Sequence, residues 1–308
     1  MGDILHTLPA AASLRKSFPE SEIVWVAAPK WMPLLAGNPA IDHVVPFERT
    51  GAGALFRSWK VLREMRPDIA VDFQGLLQSA LVARASRPKI LFGWSREVAR
   101  EPLASLLYTQ KTIPNAAHIV DRNLELAAAA GARSITQEVW LPEGRAEGTL
   151  PKQPFVLANP FAGWTSKQWP LDRYEELGHR LEADGIGLVA NVPANRAEEL
   201  RALRHVQVHT SSLDGLIHAT RRAAAVLGLD SGPLHLAAAM ARPGVALFGP
   251  TDPARNGPYG ATIRVLRDTR ATTTYKRGDS IDPSMAALTV DQVYEALREK
   301  LTVAGPLA

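Results

Sequence analysis

The stretch Leu227-Gly-Leu-Asp-Ser-Gly-Pro-Leu-His-Leu-Ala-Ala-Ala239 places a strand, a polar turn and a helix directly after one another. Its start continues an apolar run from Ala224 to Leu229, which has the length of a buried strand. Asp230–Gly232 then form a polar, flexible turn, and Pro233 stands where proline is favoured, in a first helical turn. The stretch therefore predicts a βα unit of an α/β fold.

The same junction is a candidate anion site. The free N–H groups and the positive dipole end of a helix attract phosphate. Asp230, Ser231 and Gly232 precede or open this helix, and His235 lies close enough to add a donor. The alternative is an ordinary strand–cap–helix junction, which every α/β protein contains in several copies.

Composition excludes several classes of protein. The 308 residues are enough for two domains, and 46% hydrophobic with 21% charged residues is typical of a globular protein. The absence of cysteine excludes disulfides, thiolate nucleophiles and cysteine metal ligands. No apolar run approaches the roughly 20 residues of a membrane span, and the start lacks a secretory pattern. We therefore expect a cytoplasmic protein.

Positive charge is concentrated in one window. Arg49–Arg100 holds ten Lys or Arg against four Asp or Glu, a net of +6, whereas the whole chain carries +4. A basic surface favours an acidic partner such as a phosphate, an acidic sugar or the anionic surface of the inner membrane. The window lacks the interleaved aromatic residues that stack bases, so no nucleic acid is expected. Chance clustering of charges on solvated helices is the alternative.

Short apolar runs alternate with helical patterns along the whole chain, which predicts parallel sheets covered by helices on both faces. The predicted strands are Glu22–Val26, His43–Phe47, Ile69–Phe73, Ile90–Gly93, Phe155–Asn159, Gly187–Asn191, Val206–Thr210, Ala224–Leu229 and Val245–Gly249. The predicted helices are Leu5–Ser17, Leu55–Met65, Leu76–Ala85, Ile119–Ala130, Leu171–Ala183, Arg196–Leu203, Ser212–Thr220, Pro233–Ala241 and Val290–Leu301.

The periodicity breaks at Pro142–Pro154, where Pro, Gly and charged residues replace it. This predicts two Rossmann-like domains, residues 1–145 and 153–308, facing a central cleft in which ligands meet the carboxyl ends of the strands. We expect the last helix, Val290–Leu301, to pack back across the boundary.

The beginning of the chain is unusual for this fold. Met1-Gly-Asp-Ile-Leu-His-Thr-Leu-Pro-Ala10 starts in a turn and helix, without the strand that normally opens a doubly wound domain. If a strand led into this turn, Asp3 would face the cleft, and its carboxylate could act as a general base toward a sugar hydroxyl. The alternative is that Asp3 is simply a helix N-cap.

Three further loops carry candidate binding residues. Asn159-Pro-Phe-Ala-Gly-Trp-Thr-Ser-Lys-Gln-Trp-Pro170 offers Thr165 and Ser166 as donors and Lys167 as a cation for a leaving diphosphate. These could equally be a turn and a solvated lysine. In the loop after Phe248, Thr251 and Asp252 could touch a nucleotide or cap a turn.

Arginine supplies the last candidates. Arg96 and Arg100 could bind carboxylate or phosphate through their bidentate forks, although Glu97 and Glu101 make local ion pairs an alternative. The sequence lacks the motifs of other common catalytic and cofactor-binding sites. It has no His-Glu-x-x-His, no G-x-S-x-G elbow, no P-loop and no G-x-G-x-x-G after a first strand.

Five motifs occur in one order along nearly the whole chain: Met1-Gly-Asp-Ile-Leu-His-Thr-Leu-Pro-Ala10, Ala99-Arg-Glu-Pro-Leu-Ala-Ser105, Ser166-Lys-Gln-Trp-Pro170, Leu229-Asp-Ser-Gly-Pro-Leu-His-Leu236 and Phe248-Gly-Pro-Thr-Asp-Pro253. Together they resemble the bacterial lipopolysaccharide heptosyltransferases of glycosyltransferase family 9. The first two motifs are most similar to the heptosyltransferase I branch.

The resemblance implies a GT-B fold and an inverting transfer of heptose from ADP-heptose to the Kdo sugars of lipid A, with no cofactor and no essential metal. It makes Asp3 the general base and Lys167 the cation on the donor diphosphate. Arg100 and Arg122 become acceptor-binding residues. The donor-binding residues it implies are Thr165, Ser166, Lys167, Asp230, Ser231, Gly232, His235 and Thr251.

The chain departs from the family at two places. Relatives carry a strand and a short turn before the position of Met1, so the first strand is apparently missing, and we expect a start site assigned too late. Near Asn191-Val-Pro-Ala-Asn195 the glycine-rich turn of relatives is absent. The alternatives are another heptosyltransferase with a different acceptor, or a non-catalytic nucleotide- or sugar-binding protein.

Overall fold

The computed structural model describes residues 1–48, 51–274 and 276–303. Arg49, the first residue of the basic window, lies outside the described residues. The chain divides into two compact units: Asp3–Pro142 forms an N-terminal unit, and residues 143 onward, together with Met1 and Gly2, form a C-terminal unit. Every strand pairing in both units is parallel among the described residues.

In the N-terminal unit, nine helices and strands are described together with two 3-10 segments, Pro29–Leu35 and Pro102–Leu107. In chain order they are α1 (Gly2–Ser17), β1 (Val24–Ala27), β2 (His43–Pro46), α2 (Ala52–Met65), β3 (Ile69–Val71), α3 (Leu77–Ala85), β4 (Ile90–Trp94), β5 (Gln110–Thr112) and α4 (Ile119–Ala129). Strands β1 and β2 pair as one sheet, and β3, β4 and β5 as another.

Helix α1 begins at Gly2, and no strand precedes it among the described residues. It is buried around most of its circumference, which is typical of a helix packed inside a domain. The Thr7 hydroxyl donates to the Asp3 carbonyl, and Asn123 of α4 donates to the His6 carbonyl and to Thr7 Oγ1. The first turn of α1 is therefore tied to α4.

The C-terminal unit contains two described 3-10 segments, Thr165–Lys167 and Ala194–Leu200. Its helices and strands are β6 (Phe155–Ala158), α5 (Leu171–Ala183), β7 (Gly187–Asn191), β8 (Gln207–His209), α6 (Leu213–Arg222), β9 (Ala225–Leu229), α7 (Gly232–Ala239), β10 (Gly244–Phe248), α8 (Pro253–Asn256), β11 (Ile263–Arg267), α9 (Pro283–Ala287) and α10 (Val290–Val303).

The six C-terminal strands form one parallel sheet in the order β11-β10-β9-β6-β7-β8. Because β6 comes first in the chain and is flanked by β7 on one side and β9 on the other, the strand order reverses between β6 and β9. This is the order of the doubly wound dinucleotide-binding fold, in which ligands bind at the carboxyl ends of the strands beside the reversal. Strands β6, β9 and β10 are buried along their whole length.

Helix α5 illustrates how the sequence builds these layers. Tyr174, Leu177 and Leu181 recur at helical spacing and are buried in the core beside the sheet. The helix ends in a Schellman motif, since Gly185 donates to Glu182 and Ile186 donates to Leu181. Gly185 has a φ of +74°, a left-handed conformation that glycine adopts without a steric penalty.

Three expectations about the elements were wrong. Helix α10 packs on α5 and on β9, β10 and β11 of its own unit, with Val293 and Leu297 in that core, instead of crossing the boundary. The segment predicted as helix at Arg196–Leu203 is the 3-10 segment Ala194–Leu200. Helix α1 starts before Asp3, so Asp3 lies within the first helical turn and is not an N-cap.

Candidate active site

The carboxyl ends of β6 and β9 bring the predicted donor-site lysine and aspartate together. Lys167 lies in the 3-10 segment after β6, and Asp230 follows β9. Their side chains are 14% and 8% exposed, and Lys167 Nζ lies 2.5 Å from Asp230 Oδ2. Lys167 also lies 4.2 Å from the centre of the Trp164 ring, a cation–π contact. The pair therefore occupies the point where the strand order reverses.

Helix α7 starts beside this ion pair. Ser231 precedes it in an extended conformation, its hydroxyl makes no capping bond, and Pro233 lies in the first turn. His235 is buried, and its Nε2 lies 3.8 Å from Asp230 Oδ1. The structure therefore places Asp230, Ser231, Gly232 and His235 together at the positive end of a helix dipole, where an anion is stabilised.

Four buried side-chain oxygens without a hydrogen-bond partner lie in the segments that follow the carboxyl ends of the central strands. Asn159 Oδ1 follows β6, Ser231 Oγ follows β9 and Thr251 Oγ1 follows β10; Ser166 Oγ lies in the 3-10 segment beside Lys167. Within the described part of the chain, none of these four oxygens has a partner. Buried polar atoms are nearly always hydrogen-bonded, so four such oxygens after three neighbouring strands indicate a ligand site.

Two neighbouring residues have other roles. Asp252 caps α8 by accepting from the Ala254 N–H, so it caps a turn, the second of the two roles expected for it. Thr165 is exposed at the start of its 3-10 segment.

In the N-terminal unit, Asp3 makes two side-chain contacts. Arg100 Nη1 donates to Asp3 Oδ2 at 2.9 Å, and Gln74 Nε2 donates to the same oxygen at 3.2 Å. Both donors hold one carboxylate oxygen and leave Oδ1 available for another proton donor. The Arg100–Asp3 pair is partly exposed, so it orients the carboxylate more than it stabilises the fold.

A buried carboxylate organises the loop that carries Gln74. Asp72, at the end of β3, accepts from the N–H groups of Gln74 and Gly75 through Oδ1 and from the hydroxyls of Ser79 and Tyr108 through Oδ2. Burial raises the pKa of Asp72 above its ordinary value, although these four hydrogen bonds oppose the shift. Asp72 therefore acts on Asp3 only through the loop that it positions.

The remaining arginines lie apart from Asp3. Arg122 Nε donates to the Ala116 carbonyl, so among the described residues it makes no hydrogen bond or ion pair with Asp3. Arg96 is exposed. Glu101 accepts from the Leu77 N–H at the start of α3 and Arg100 pairs with Asp3, so the alternative of a local ion pair is wrong for these two residues.

Sequence reasoning missed Gln74, Asp72 and Trp164. Gln74 and Asp72 had a detectable signal, since both follow a predicted strand at the end where α/β ligands bind. Trp164 lies next to a predicted donor segment, but its stacking on Lys167 depends on side-chain geometry. In the described part of the chain, no three His, Asp or Glu side chains are grouped as a metal site requires. No described helix is long and apolar enough to cross a bilayer.

The comparison with protein families decides the relationship. The model of glycosyltransferase family 9 (heptosyltransferase) matches residues 55–284. The chain belongs to glycosyltransferase family 9. Among curated family 9 relatives, lipopolysaccharide heptosyltransferase 1 of Escherichia coli K12 is 32% identical over 88% of this chain and 91% of its own. The enzyme of the same name from Pseudomonas aeruginosa PAO1 is 30% identical over 84% of this chain and 79% of its own.

Solved structures of family 9 members share the fold. E. coli heptosyltransferase WaaC with ADP superposes with a TM-score of 0.77 at 26% identity, covering 97% of both chains. WaaC with ADP-2-deoxy-2-fluoro heptose gives a TM-score of 0.75 at 26% identity and covers 97% of this chain and 96% of that one. The expected α/β fold of the GT-B class is confirmed, and this family 9 chain is a glycosyltransferase.

Proposed function

We propose that this chain transfers heptose from ADP-heptose to the Kdo region of lipid A, with inversion at the anomeric carbon, during synthesis of the lipopolysaccharide inner core. The observation that carries the proposal is the Lys167–Asp230 pair at the strand reversal, among buried oxygens without partners and beside the start of α7. The relatives named for heptosyl transfer and the WaaC complexes with ADP compounds support it.

The predicted C-terminal domain, residues 153–308, would bind the donor. Lys167 neutralises the negative charge that grows on the β-phosphate as the bond to the anomeric carbon breaks. The N–H groups at the start of α7 and the hydroxyls of Ser166, Ser231 and Thr251 complete the donor site, with His235 and Thr165 at its edge. Asp230 is an anion and would repel phosphate, so its role is to hold the Lys167 ammonium in place.

The predicted N-terminal domain, residues 1–145, would bind and activate the acceptor. Asp3 Oδ1 takes the proton of the acceptor hydroxyl as its oxygen attacks the anomeric carbon, and ADP leaves with the electron pair of the broken C–O bond. A single displacement of this kind inverts the anomeric centre. Arg100 fixes Asp3 Oδ2 and, with Arg122, favours an acidic acceptor such as Kdo through charge.

We include the anionic surface of the inner membrane, on its cytoplasmic side, among the proposed partners. The acceptor of the proposed reaction is a lipid, and the net +6 window of the N-terminal unit favours an anionic surface.

The decisive experiment compares Asp3→Asn and Lys167→Met with the unchanged chain in transfer from ADP-heptose to Kdo-lipid A. A missing general base lowers the turnover rate by about 10²–10⁴-fold, while ADP binding measured by calorimetry stays nearly unchanged. Lys167→Met is expected to weaken ADP binding as well as turnover, because the cation contacts the diphosphate in both ground state and transition state.

Asp42 provides a matched control for Asp3. Its side chain is 41% exposed against 42% for Asp3, and it also pairs with an arginine, Arg15, in the same unit. Asp42→Asn should leave turnover unchanged. Equal loss of ADP binding and turnover in Asp3→Asn would contradict the base assignment. ADP binding without transfer to any acceptor would favour a binding protein, and transfer to another core sugar alone would favour a different heptosyltransferase.

A further inference from the structure

An apolar groove of about 610 Å³ lies on the surface of the N-terminal unit, between α2, α3 and the end of β2. Phe56 is the most exposed of its apolar residues, at 70%. Apart from Gln78, the lining is entirely apolar: Phe47, Leu55, Phe56, Trp59, Leu81 and Val82. Contiguous exposed apolar surface of this kind is typical of an interaction site, because contact between apolar side chains and water is unfavourable.

A second groove of about 600 Å³ continues the first along α2 and is cationic. Phe56 and Trp59 line both grooves, so the apolar and cationic parts are continuous. The charged residues of the second groove are Lys60, Arg63, Glu64, Arg66 and Arg87, a net of +3. We call the two together the α2 groove.

The sequence of α2 places both parts on one flank of the helix. Leu55 and Trp59 are four residues apart, and Phe56, Lys60 and Arg63 follow at spacings of four and three, which aligns side chains on a helix surface. Ser58 and Leu62 are buried and pack into the unit, with Leu55 next to them on the helix surface and Phe56, Lys60 and Arg63 turned away from the core. The α2 groove is therefore the outward flank of an amphipathic helix, with a tryptophan where apolar and charged regions meet.

Charge decides between the possible occupants. In a two-fold contact between copies of this chain the same surface comes from both copies, so each would bring a net charge of +3 into the interface. An anionic lipid matches both parts, because its acyl chain is apolar and its phosphate headgroup is negative. Tryptophan at such a junction is typical of proteins at the membrane–water boundary.

We propose that the α2 groove binds an anionic phospholipid of a bilayer, with an acyl chain against Phe56, Leu55 and Leu81 and the headgroup phosphate against Lys60 and Arg63. The inference rests on the proposed membrane partner and names the surface that meets it. Binding of a protein surface to an anionic membrane grows with the buried apolar area and with the electrostatic attraction to anionic lipids. The groove supplies both.

The test is co-sedimentation with phosphatidylglycerol-containing vesicles and with pure phosphatidylcholine vesicles, at low and high salt. We expect binding to the anionic vesicles, weakened by salt. Phe56→Ser should lower it about tenfold, since a buried aromatic contact is lost. Lys60→Glu with Arg63→Glu should lower it at least about 25-fold, because each cation near an anionic surface contributes about fivefold.

Exposed residues of the same unit serve as controls. Ile113 is 64% exposed, close to Phe56, and lies outside the groove, so Ile113→Ser should bind vesicles as the unchanged chain does. Arg133→Glu, also exposed, is the control for charge. Unchanged thermal unfolding of the Phe56→Ser chain shows that it is folded.

The outcomes separate this inference from the proposed reaction. Loss of vesicle binding in Phe56→Ser and in the charge-reversal variant, with normal heptose transfer to a de-acylated Kdo acceptor, supports the lipid site. Vesicle binding that is insensitive to Phe56→Ser or to the charge reversal overturns it, as does free phosphate competing fully with vesicles. A dimer in sedimentation velocity that Phe56→Ser abolishes, with vesicle binding unchanged, would assign the groove to self-association. Groove-dependent vesicle binding without any heptose transfer would contradict the proposed reaction alone.

Discussion

Two donors hold a single oxygen of Asp3, and this arrangement depends on residues far apart in the sequence. Arg100 and Gln74 both donate to Oδ2, and Gln74 is presented by a loop whose N–H groups are held by Asp72. A general base must be oriented as well as ionised. At the scale of the residue, the orientation of Asp3 therefore depends on Arg100 directly and on Asp72 through the loop of Gln74.

Burial of Asp72 predicts a pH dependence of stability. Because its folded pKa is raised above the unfolded value near 3.8, the folded chain binds a proton that the unfolded chain has lost in the window between the two. The free energy of unfolding should therefore fall as the pH rises through that window, by at most about 1.4 kcal/mol per pH unit for one proton. Asp72→Asn cannot titrate and should lack this slope.

Urea unfolding of the unchanged chain and of Asp72→Asn, at a series of pH values from 4 upward, measures the difference between their free energies of unfolding. Ser79 and Tyr108 hydroxyls can rotate to accept from an asparagine amide, so the variant keeps its hydrogen bonds. A difference in unfolding free energy that is constant with pH would contradict the burial argument.

At the scale of the element, the loop from β3 to α3 positions Gln74 through a conformation that requires glycine. Gly75 has a φ of +68°, and a Cβ there would lie 2.8 Å from Trp94 Cδ1 and 3.3 Å from the backbone nitrogen of Arg100. Its carbonyl accepts from the Glu101 N–H, and Trp94 Nε1 donates to the Phe73 carbonyl. The loop is thus packed directly against the segment that carries Arg100.

Gly75→Ala should lower the free energy of unfolding by about 1–3 kcal/mol, through left-handed strain and the contact with Trp94. It should also reduce turnover, because Gln74 and Arg100 move relative to Asp3. Chemical denaturation and the transfer assay measure the two effects.

Gly185→Ala is the matched control for the backbone. Gly185 has a φ of +74° but nothing lies within 4 Å of a Cβ added there. That variant should carry the strain of the left-handed conformation alone, at about 1 kcal/mol, with normal turnover. If both variants lose the same stability and keep full activity, the packing of Gly75 has no role in the site.

Edge strands account for the two strands that the sequence did not predict. β5 and β11 each lie at the edge of a sheet. β5 consists of Gln-Lys-Thr, and β11, Ile263–Arg267, has two arginines, whereas β9 and β10 are buried and apolar throughout. Edge strands are short and charged because an exposed apolar edge would pair with other chains. The apolar pattern used for prediction detects the central strands and four edge strands, β1, β2, β3 and β8, and it misses the two edge strands in which charged residues interrupt the pattern.

At the scale of the whole molecule, the two units divide the proposed chemistry. Lys167, Asp230 and the buried oxygens without partners belong to the C-terminal unit, whereas Asp3, Arg100 and the α2 groove belong to the N-terminal unit. Each unit buries hydrophobic side chains of its own: Leu62 and Leu91 in one and Trp169 and Phe248 in the other.

Calorimetry should therefore show two unfolding transitions. ADP should raise the midpoint temperature of the transition of the C-terminal unit and leave the other unchanged. At a free concentration one hundred times its dissociation constant, ADP stabilises its unit by about 2.7 kcal/mol. That corresponds to a rise in the midpoint of about 5–10 °C for a unit of this size. AMP lacks the β-phosphate that Lys167 is proposed to bind, so it should give a smaller shift. An equal rise of both transitions would contradict a donor site confined to one unit.

The sequence by itself determined the parallel α/β class, the central strands and the family. These depend on local apolar periodicity and on short motifs, which are readable because neighbouring residues in the chain form one strand, turn or helix. It also placed Lys167 and Asp230 in the same binding function. It did not show that their side chains pair, since they are 63 residues apart in the chain.

Only the tertiary structure decided which groups share a site. Gln74 and Arg100 reach Asp3, and Asp72 holds the loop of Gln74, because β3 and β4 are neighbours in one sheet and the loops after them meet at its carboxyl end. The α2 groove is likewise formed by side chains from separate elements. Hydrogen-bond partners and exposed grooves depend on packing between distant segments, and local sequence patterns carry no record of that packing.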